Sequence, residues 1–222
     1  MRRRILIAIL CIMALAACQT NPIPPTSLPE TPTPHAATPL EFEFEGQSEL
    51  ALDGLTIGLP KPKGWESLST ETGMIIAERF ARLVDRGVQQ GLMAFVFVTP
   101  LSDFPDTGSA SEQRTQDILT HLIAAYPDDE HRSSDVLTFT WSGYDAAYYL
   151  LSEADSGPQM LMVGVTLPDE GVLLTGAVSA PRARAGQIRE AAPLLLGGVA
   201  VNGAVLGRDG LDTLPDPLVF PE

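Results

Sequence analysis

From residue 50 onward, apolar and polar positions alternate in short blocks broken by turn chemistry, which favours strands over long helices. Residues 55–59 (Leu-Thr-Ile-Gly-Leu) read as a strand stopped by Pro60 and Pro62, and Gly64-Trp65-Glu66 opens the next element. Residues 74–80 alternate weakly and predict another strand, and the polar run 82–90 reads as a loop. Residues 92–98, Leu-Met-Ala-Phe-Val-Phe-Val, are apolar at every position. Ended by Thr99-Pro100, so short a run suits a central strand covered on both faces better than a helix.

Residues 100–111 are a Pro/Gly/Ser/Asp loop within which Ser109-x-x-Glu112 offers a capping box. Ile118, Leu119, Leu122, Ile123 and Tyr126 then recur at helical spacing, with Gln116, Asp117 and Thr120 opposite. This predicts a helix that ends before Pro127 and lays its Ile/Leu face on a sheet. Four apolar segments follow, at 136–141, 146–152, 160–167 and 172–178. Ser142-Gly143, Asp155-Ser156-Gly157 and Pro168-Asp169-Glu170-Gly171 supply the turns between them. Links this short permit antiparallel hairpins alone, so the region is a meander.

A second helix is predicted over 182–196, burying Ile188, Ala191, Ala192 and Leu195. Pro193 should kink its last turn, and Gly197-Gly198 end it. Residues 199–205 read as a closing strand. From Gly207 the chain is turn-like and acidic, and Leu218-Val219-Phe220 either packs back or stays loose. The fold class is therefore α+β, a mainly antiparallel sheet flanked by two helices. The expected domain covers 41–206, followed by an acidic tail over 207–222.

The N-terminal pattern is of another kind. Arg2, Arg3 and Arg4 precede an apolar run over 5–15, which at 11 residues is too short to span a bilayer and suits an export signal. Leu15-Ala16-Ala17-Cys18 closes it and resembles the lipobox of bacterial lipoproteins. That resemblance implies removal of residues 1–17 and a diacylglycerol on the Cys18 thiol. Each buried acyl CH₂ contributes roughly 0.8 kcal/mol, so two or three chains hold a protein on a membrane where one does not. The implied partner is the membrane, reached through lipidated Cys18, with the domain outside the cytoplasm. Gln19 stands where lipoproteins of the inner membrane carry Asp, so the resemblance directs the chain to an outer membrane if the cell has one.

Residues 18–40 form the expected tether. Pro22, Pro24, Pro25, Pro29, Pro32, Pro34 and Pro39 alternate with Thr20, Thr26, Thr31, Thr33 and Thr38, which leaves neither helix nor central strand. An extended spacer at up to about 3.1 Å per residue would set a domain on the order of 50 Å from the bilayer. Leu40-Glu41-Phe42-Glu43-Phe44-Glu45 alternates with period two, either as an edge strand packing Phe42 and Phe44 or as an unpaired segment.

Charge narrows the partners. The formal net charge is −14, and loss of Arg2, Arg3 and Arg4 leaves 11 basic residues against 28 acidic ones, a net −17. That balance repels phosphate backbones and anionic head groups, so nucleic acid is not an expected partner. Cys11 and Cys18 are the only cysteines, so the folded part has neither disulfide nor thiol nucleophile. About 170 residues remain for it, enough for one hydrophobic core.

No G-x-S-x-G, H-E-x-x-H, P-loop or G-x-G-x-x-G occurs. Thr140-Trp141-Ser142-Gly143 lacks the first glycine of a nucleophile elbow and precedes a strand. His35 lies in the tether and His121 on the boundary of the first helix. His131 follows Asp128-Asp129-Glu130, the densest oxygen-plus-imidazole cluster, which reads as a solvated acidic turn because adjacent loop residues rarely converge on one ion. Asp209-Gly210-Leu211-Asp212 lacks the ligand alternation of a calcium loop. Catalytic residues, metal ligands and cofactors are therefore not expected. Trp65, Trp141, Tyr144 and Tyr148 are the candidate partner-binding aromatics; cross-strand packing is the competing account, Phe139 and Trp141 sharing one strand face.

Pro60-x-x-x-Gly64-Trp65 after a strand, Gly143-Tyr144-Asp145-Ala146-Ala147-Tyr148 in the meander, and Gly197-Gly198-Val199 after the last helix resemble the PsbP-like superfamily over residues 50–201. That superfamily of α/β/α sandwiches includes extrinsic photosystem II proteins and Ran-binding Mog proteins. The resemblance implies binding or accessory roles rather than catalysis, and carries no ligand residue over to a position here. The expected function is a lipid-anchored cell-envelope protein with a non-catalytic binding domain, whose partner is another envelope protein. Two alternatives stand beside it. One is a small-molecule or metal-binding lipoprotein serving a transporter, for which the domain lacks two-lobe length. The other is an envelope hydrolase using Asp128 and Glu130.

Overall fold

Among the described residues two larger sheets, a two-stranded ribbon and two α-helices are arranged around strands that are apolar on both faces. The computed structural model describes residues 40–52, 54–80, 84–85, 88–105, 111–125, 131–153 and 157–222. The export signal, Cys18, the tether, Ser109 of the capping box, Tyr126, the Asp128–Glu130 cluster and the Asp155-Ser156 turn lie outside them. Among the described residues every strand pair is antiparallel.

The large sheet runs β3 (Glu66–Ser69), β4 (Gly73–Ala77), β7 (Met93–Pro100), β12 (Val172–Ala180), β11 (Gln159–Leu167), β10 (Tyr144–Glu153) and β8 (His131–Ser133), with β9 (Leu137–Trp141) also paired to β10. The all-apolar run is central, as its composition requires, between β4 and β12. The β9–β12 meander has the predicted strand order, with turns at Ser142-Gly143 and Pro168–Gly171 where expected. At Ser142-Gly143 both residues have positive φ (52° and 83°), the backbone a two-residue hairpin of matching twist demands.

Side-chain alternation divides the sheet's two faces. Ala94, Val96, Val98, Leu161, Val163, Val165, Leu174 and Val178 face one core, with Ile188, Ala191, Ala192 and Leu195 of α2 (Gly186–Leu195). Phe95, Phe97, Ala147, Tyr149, Met160, Met162 and Ala177 face the other, with Leu119 of α1 (Ser111–Ile123). Glycine thins the sheet once under each layer. A Cβ on Gly164 would press on Leu119, and one on Gly176 on Leu196.

A second sheet, β1 (Phe44–Leu52), β2 (Leu55–Pro62), β13 (Ala200–Val201) and β14 (Ala204–Val205), completes the α2 side. Here the structure departs from the expectation that Pro60 and Pro62 stop a strand. The Lys63 N–H donates to the Glu43 carbonyl at 2.7 Å, so the nitrogens at 60 and 62 point away from β1. On that side β13 pairs only with Ile57 and Gly58, so no hydrogen bond is forfeited there. The 199–205 strand is a tight β13–β14 hairpin instead, and the 82–90 loop carries a minimal one, β5 (Val84–Asp85) with β6 (Val88–Gln89). The second helix is shorter than expected: Arg182–Arg184 form a separate 3₁₀ turn, and with Pro193 in its last turn α2 gives way to a 3₁₀ turn at Leu196–Gly198.

The segment assigned to an acidic tail packs onto the domain. Leu211 and Leu214, brought to one side by the 3₁₀ turn Leu211–Thr213, are buried in the α2-side core, and Leu218 and Phe220 pack at its margin. Arg189 of α2 donates Nε to the Pro215 carbonyl at 3.1 Å and Nη2 to the Asp212 carbonyl at 2.9 Å. Gly210, at φ 90°, lies where a Cβ would collide with the Thr140 carbonyl oxygen.

Deleting residues 207–222 is therefore expected to lower stability by about 3–6 kcal/mol, from two leucines at roughly 1.5–3 kcal/mol each. Gly210→Ala should lose more than about 1 kcal/mol through its φ and the collision. Urea midpoints measure both, and a deletion that leaves the midpoint unmoved would contradict this packing.

Candidate functional site

The four candidate aromatics are built into the fold. Trp141 is 1% exposed, and its indole Nε1–H donates to the Gly207 carbonyl at 2.9 Å. Trp65 is 8% exposed beneath the ring of Phe42, edge-on at 5.4 Å. Tyr148 is 6% exposed, edge-on to Phe139 at 5.8 Å, and burial pushes its phenol pKa up. Tyr144 is half-buried against the same core. Cross-strand and interlayer packing accounts for them, so they do not assemble into an exposed patch. For Tyr144 and Tyr148 the physical reason is that both faces of β10 are covered, so alternation along it opens neither to solvent.

Polar candidates fare as follows. His121 is exposed at the end of α1, and His131 opens β8. Among the described residues the buried Ser142 hydroxyl has no hydrogen-bond partner, whereas a nucleophile needs a base within reach. Among the described residues no group of three or more His, Cys, Asp or Glu is placed to hold a metal ion. The strongest polar cluster joins the loop after β4 to the start of α2. Arg184 grips Glu78 through both terminal guanidinium nitrogens, Nη1 to Oε2 at 2.8 Å and Nη2 to Oε1 at 2.6 Å, and its Nε donates to Gln187 Oε1 at 2.8 Å. The Glu78 carboxylate holds the guanidinium above its already high pKa, so it stays charged. Beside it, buried Ser179 donates to Gln89 Oε1 at 2.9 Å, and Gln89 Nε2 donates to the Gly91 carbonyl at 2.7 Å.

An open recess is found elsewhere, at the seam of β1, β2, the end of α2 and β14. It encloses about 460 Å³ and is lined by Phe44, Gln47, Pro60, Leu194, Val205 and Arg208, with glycine at 46, 197 and 198. Phe44 and Val205 are 38% and 58% exposed. The glycines let backbone and side chains close its floor: a Cβ on Gly198 would strike Pro60, and one on Gly197 would strike the stem of Arg208. Gln47 Nε2 donates to the Gly198 carbonyl at 3.3 Å across the seam. At its β1 end, Lys61 lies 2.6 Å from Glu45 and holds that carboxylate below its usual range. A lowered folded pKa means this attraction is present at neutral pH and lost as pH falls through the carboxylate range.

Arg208 is exposed, and among the described residues its guanidinium has no carboxylate partner. The recess is thus apolar with a single unpaired positive charge, in a chain whose overall charge is strongly negative. Its residues come from four separate places in the sequence, so no local motif announces it. The Gly197-Gly198 pair was legible as a helix stop, but not as a floor.

No protein-family model matches the chain, and no curated protein matches it. Solved structures similar to it include the Ran-binding protein Mog1p of Saccharomyces cerevisiae, at 14% identity over 65% of this chain and 82% of that one, with a TM-score of 0.37. LpqN of Mycobacterium tuberculosis, a protein involved in cell envelope biogenesis, is 16% identical over 70% of this chain and 90% of its own, with a TM-score of 0.44. These are likenesses of fold between distant sequences, and they carry no argument about activity or partners.

The Glu78–Arg184 pair has a measurable consequence. Arg184→Ala should lower stability by about 1 kcal/mol, the upper end for a partly exposed pair because the contact is bidentate. Arg184→Lys should recover only part of it, since an ammonium lacks the guanidinium fork. Denaturant unfolding checks this, and a wild-type midpoint for Arg184→Ala would remove the pair from the list of stabilising contacts.

Proposed function

We propose that this chain is a cell-envelope lipoprotein, held at a membrane by acyl chains on Cys18, whose domain acts by binding and not by catalysis. The observation that carries the reading is the sequence Leu15-Ala16-Ala17-Cys18 behind three arginines and 11 apolar residues. The proline-rich stretch that follows suits a spacer, and Leu40, where the described chain begins, is attached to the domain surface: its N–H donates to Glu190 Oε2 at 2.9 Å. The non-catalytic half rests on the partnerless Ser142 hydroxyl, on a folded part without cysteine, and on an open recess with one charged lining group. A recess of that kind suits an extended segment of another polypeptide, with apolar side chains and a carboxylate, better than a small molecule that must be enclosed.

Metabolic labelling with a fatty acid in the source cell tests the anchor. The wild-type chain should take up label and fractionate with membranes. Cys18→Ala should take up none and be released or stall uncleaved. A mutant still in the membrane fraction would overturn the assignment.

A further inference from the structure

The seam recess lies beside the point where the tether joins the domain. Leu40 is held on Glu190, and Leu194, which lines the recess, is one helical turn further along α2, about 6 Å away. The recess offers Phe44, Pro60, Leu194 and Val205 as apolar wall and Arg208 as its charge. Residues 19–39 contain one charged residue, Glu30, set inside Pro29-Glu30-Thr31-Pro32. In a polyproline helix residues three apart share an edge, a geometry in which Pro29 and Pro32 would present one apolar side next to a single carboxylate. Such segments dock in grooves lined by aromatic and apolar side chains. Ten residues separate Glu30 from Leu40, a reach of up to about 31 Å at 3.1 Å per residue, enough to turn back across one end of a domain.

We propose that the tether docks in this recess, with Pro29 and Pro32 against the Phe44 and Pro60 wall and Glu30 paired to Arg208. The inference treats the recess as a binding surface, as above, and is independent of acylation. Docking is intramolecular, so a weak contact is populated through effective concentration alone. It shortens the free spacer to residues 19–28 and covers the recess, so an outside partner must displace the chain's own segment.

The test uses the mature chain with Cys18→Ser, which is thiol-free and unlipidated. One thiol pair, Thr31→Cys with Val205→Cys, joins tether to recess. A control pair, Thr31→Cys with Val219→Cys, joins it to an exposed site outside the recess. Under mild oxidation the first pair should close an intramolecular disulfide at least tenfold faster than the control. Arg208→Glu should bring that rate down to the control, and adding Glu30→Arg should restore it, which also shows that the charge reversal has not unfolded the protein. Equal rates for the two pairs, indifference to Arg208→Glu, or no restoration by Glu30→Arg overturns the proposal. Dimers linked between chains in preference to internal closure overturn it as well, assigning the recess to a second copy. Because no lipid is present, failure of the anchoring proposal leaves every one of these outcomes unchanged.

Discussion

The central strands β7, β11 and β12 are apolar on both faces, and the remainder of the architecture keeps water from them. A sheet of this kind needs a covering layer on each side. With the sequence's only cysteines at 11 and 18, burial is the principal available glue. The two covers meet the sheet through the same device on adjacent strands. Gly164 on β11 makes room for Leu119, and Gly176 on β12 makes room for Leu196 on the opposite face. Two glycines in strand interiors are unfavourable for strand formation. Here they let helical layers approach closely, and the packing gained on each face offsets the loss.

The α2 face is too wide for a helix of 10 residues. Three further pieces complete it: the β1–β2 ladder, the β13–β14 hairpin and the C-terminal segment through Leu211 and Leu214. Neighbouring residues of α2 hold both ends of the described chain, Glu190 receiving the Leu40 N–H and Arg189 donating to the Asp212 and Pro215 carbonyls. A cover assembled from separate pieces has seams, and the recess is one of them. Its place in the molecule follows from the demand for burial on this face, and its polar content from which residues happen to rim the join.

What was legible in the sequence was whatever a short window determines. The unbroken apolar run at 92–98 announced a doubly buried strand, and the turn residues at 142–143 and 168–171 announced hairpins, because both signals are local. The strand through Pro60 and Pro62 was not legible, since proline is tolerated there only because β13 ends at the level of Gly58, a fact about a partner some 140 residues away. The C-terminal packing was hidden similarly. Leu211 and Leu214 are isolated among turn-forming and acidic residues, and only the clamp from Arg189 and the indole of Trp141 reveals that this stretch is core. The aromatics misled for the converse reason: alternation assigns a side chain to a face, but not whether that face meets solvent.

In the proposed anchored form, acidity and anchoring would pull in opposite directions, and a spacer would reconcile them. The net charge of −17 that would remain without Arg2, Arg3 and Arg4 is repelled by an anionic bilayer surface, while the proposed acyl chains on Cys18 would hold the polypeptide there. The repulsion falls away over a Debye length of about 8 Å at physiological ionic strength. A spacer of 21 residues at up to about 3.1 Å each extends several times further. Even with residues 29–32 docked, the free part from 19 to 28 reaches up to about 31 Å, still well beyond that length. The domain therefore keeps its acidic surface, which favours solubility, without electrostatic conflict with the membrane in either arrangement. In that proposed arrangement a tether shorter than about three residues would bring the two charges within a Debye length, which is a physical reason for a long spacer between Cys18 and Leu40.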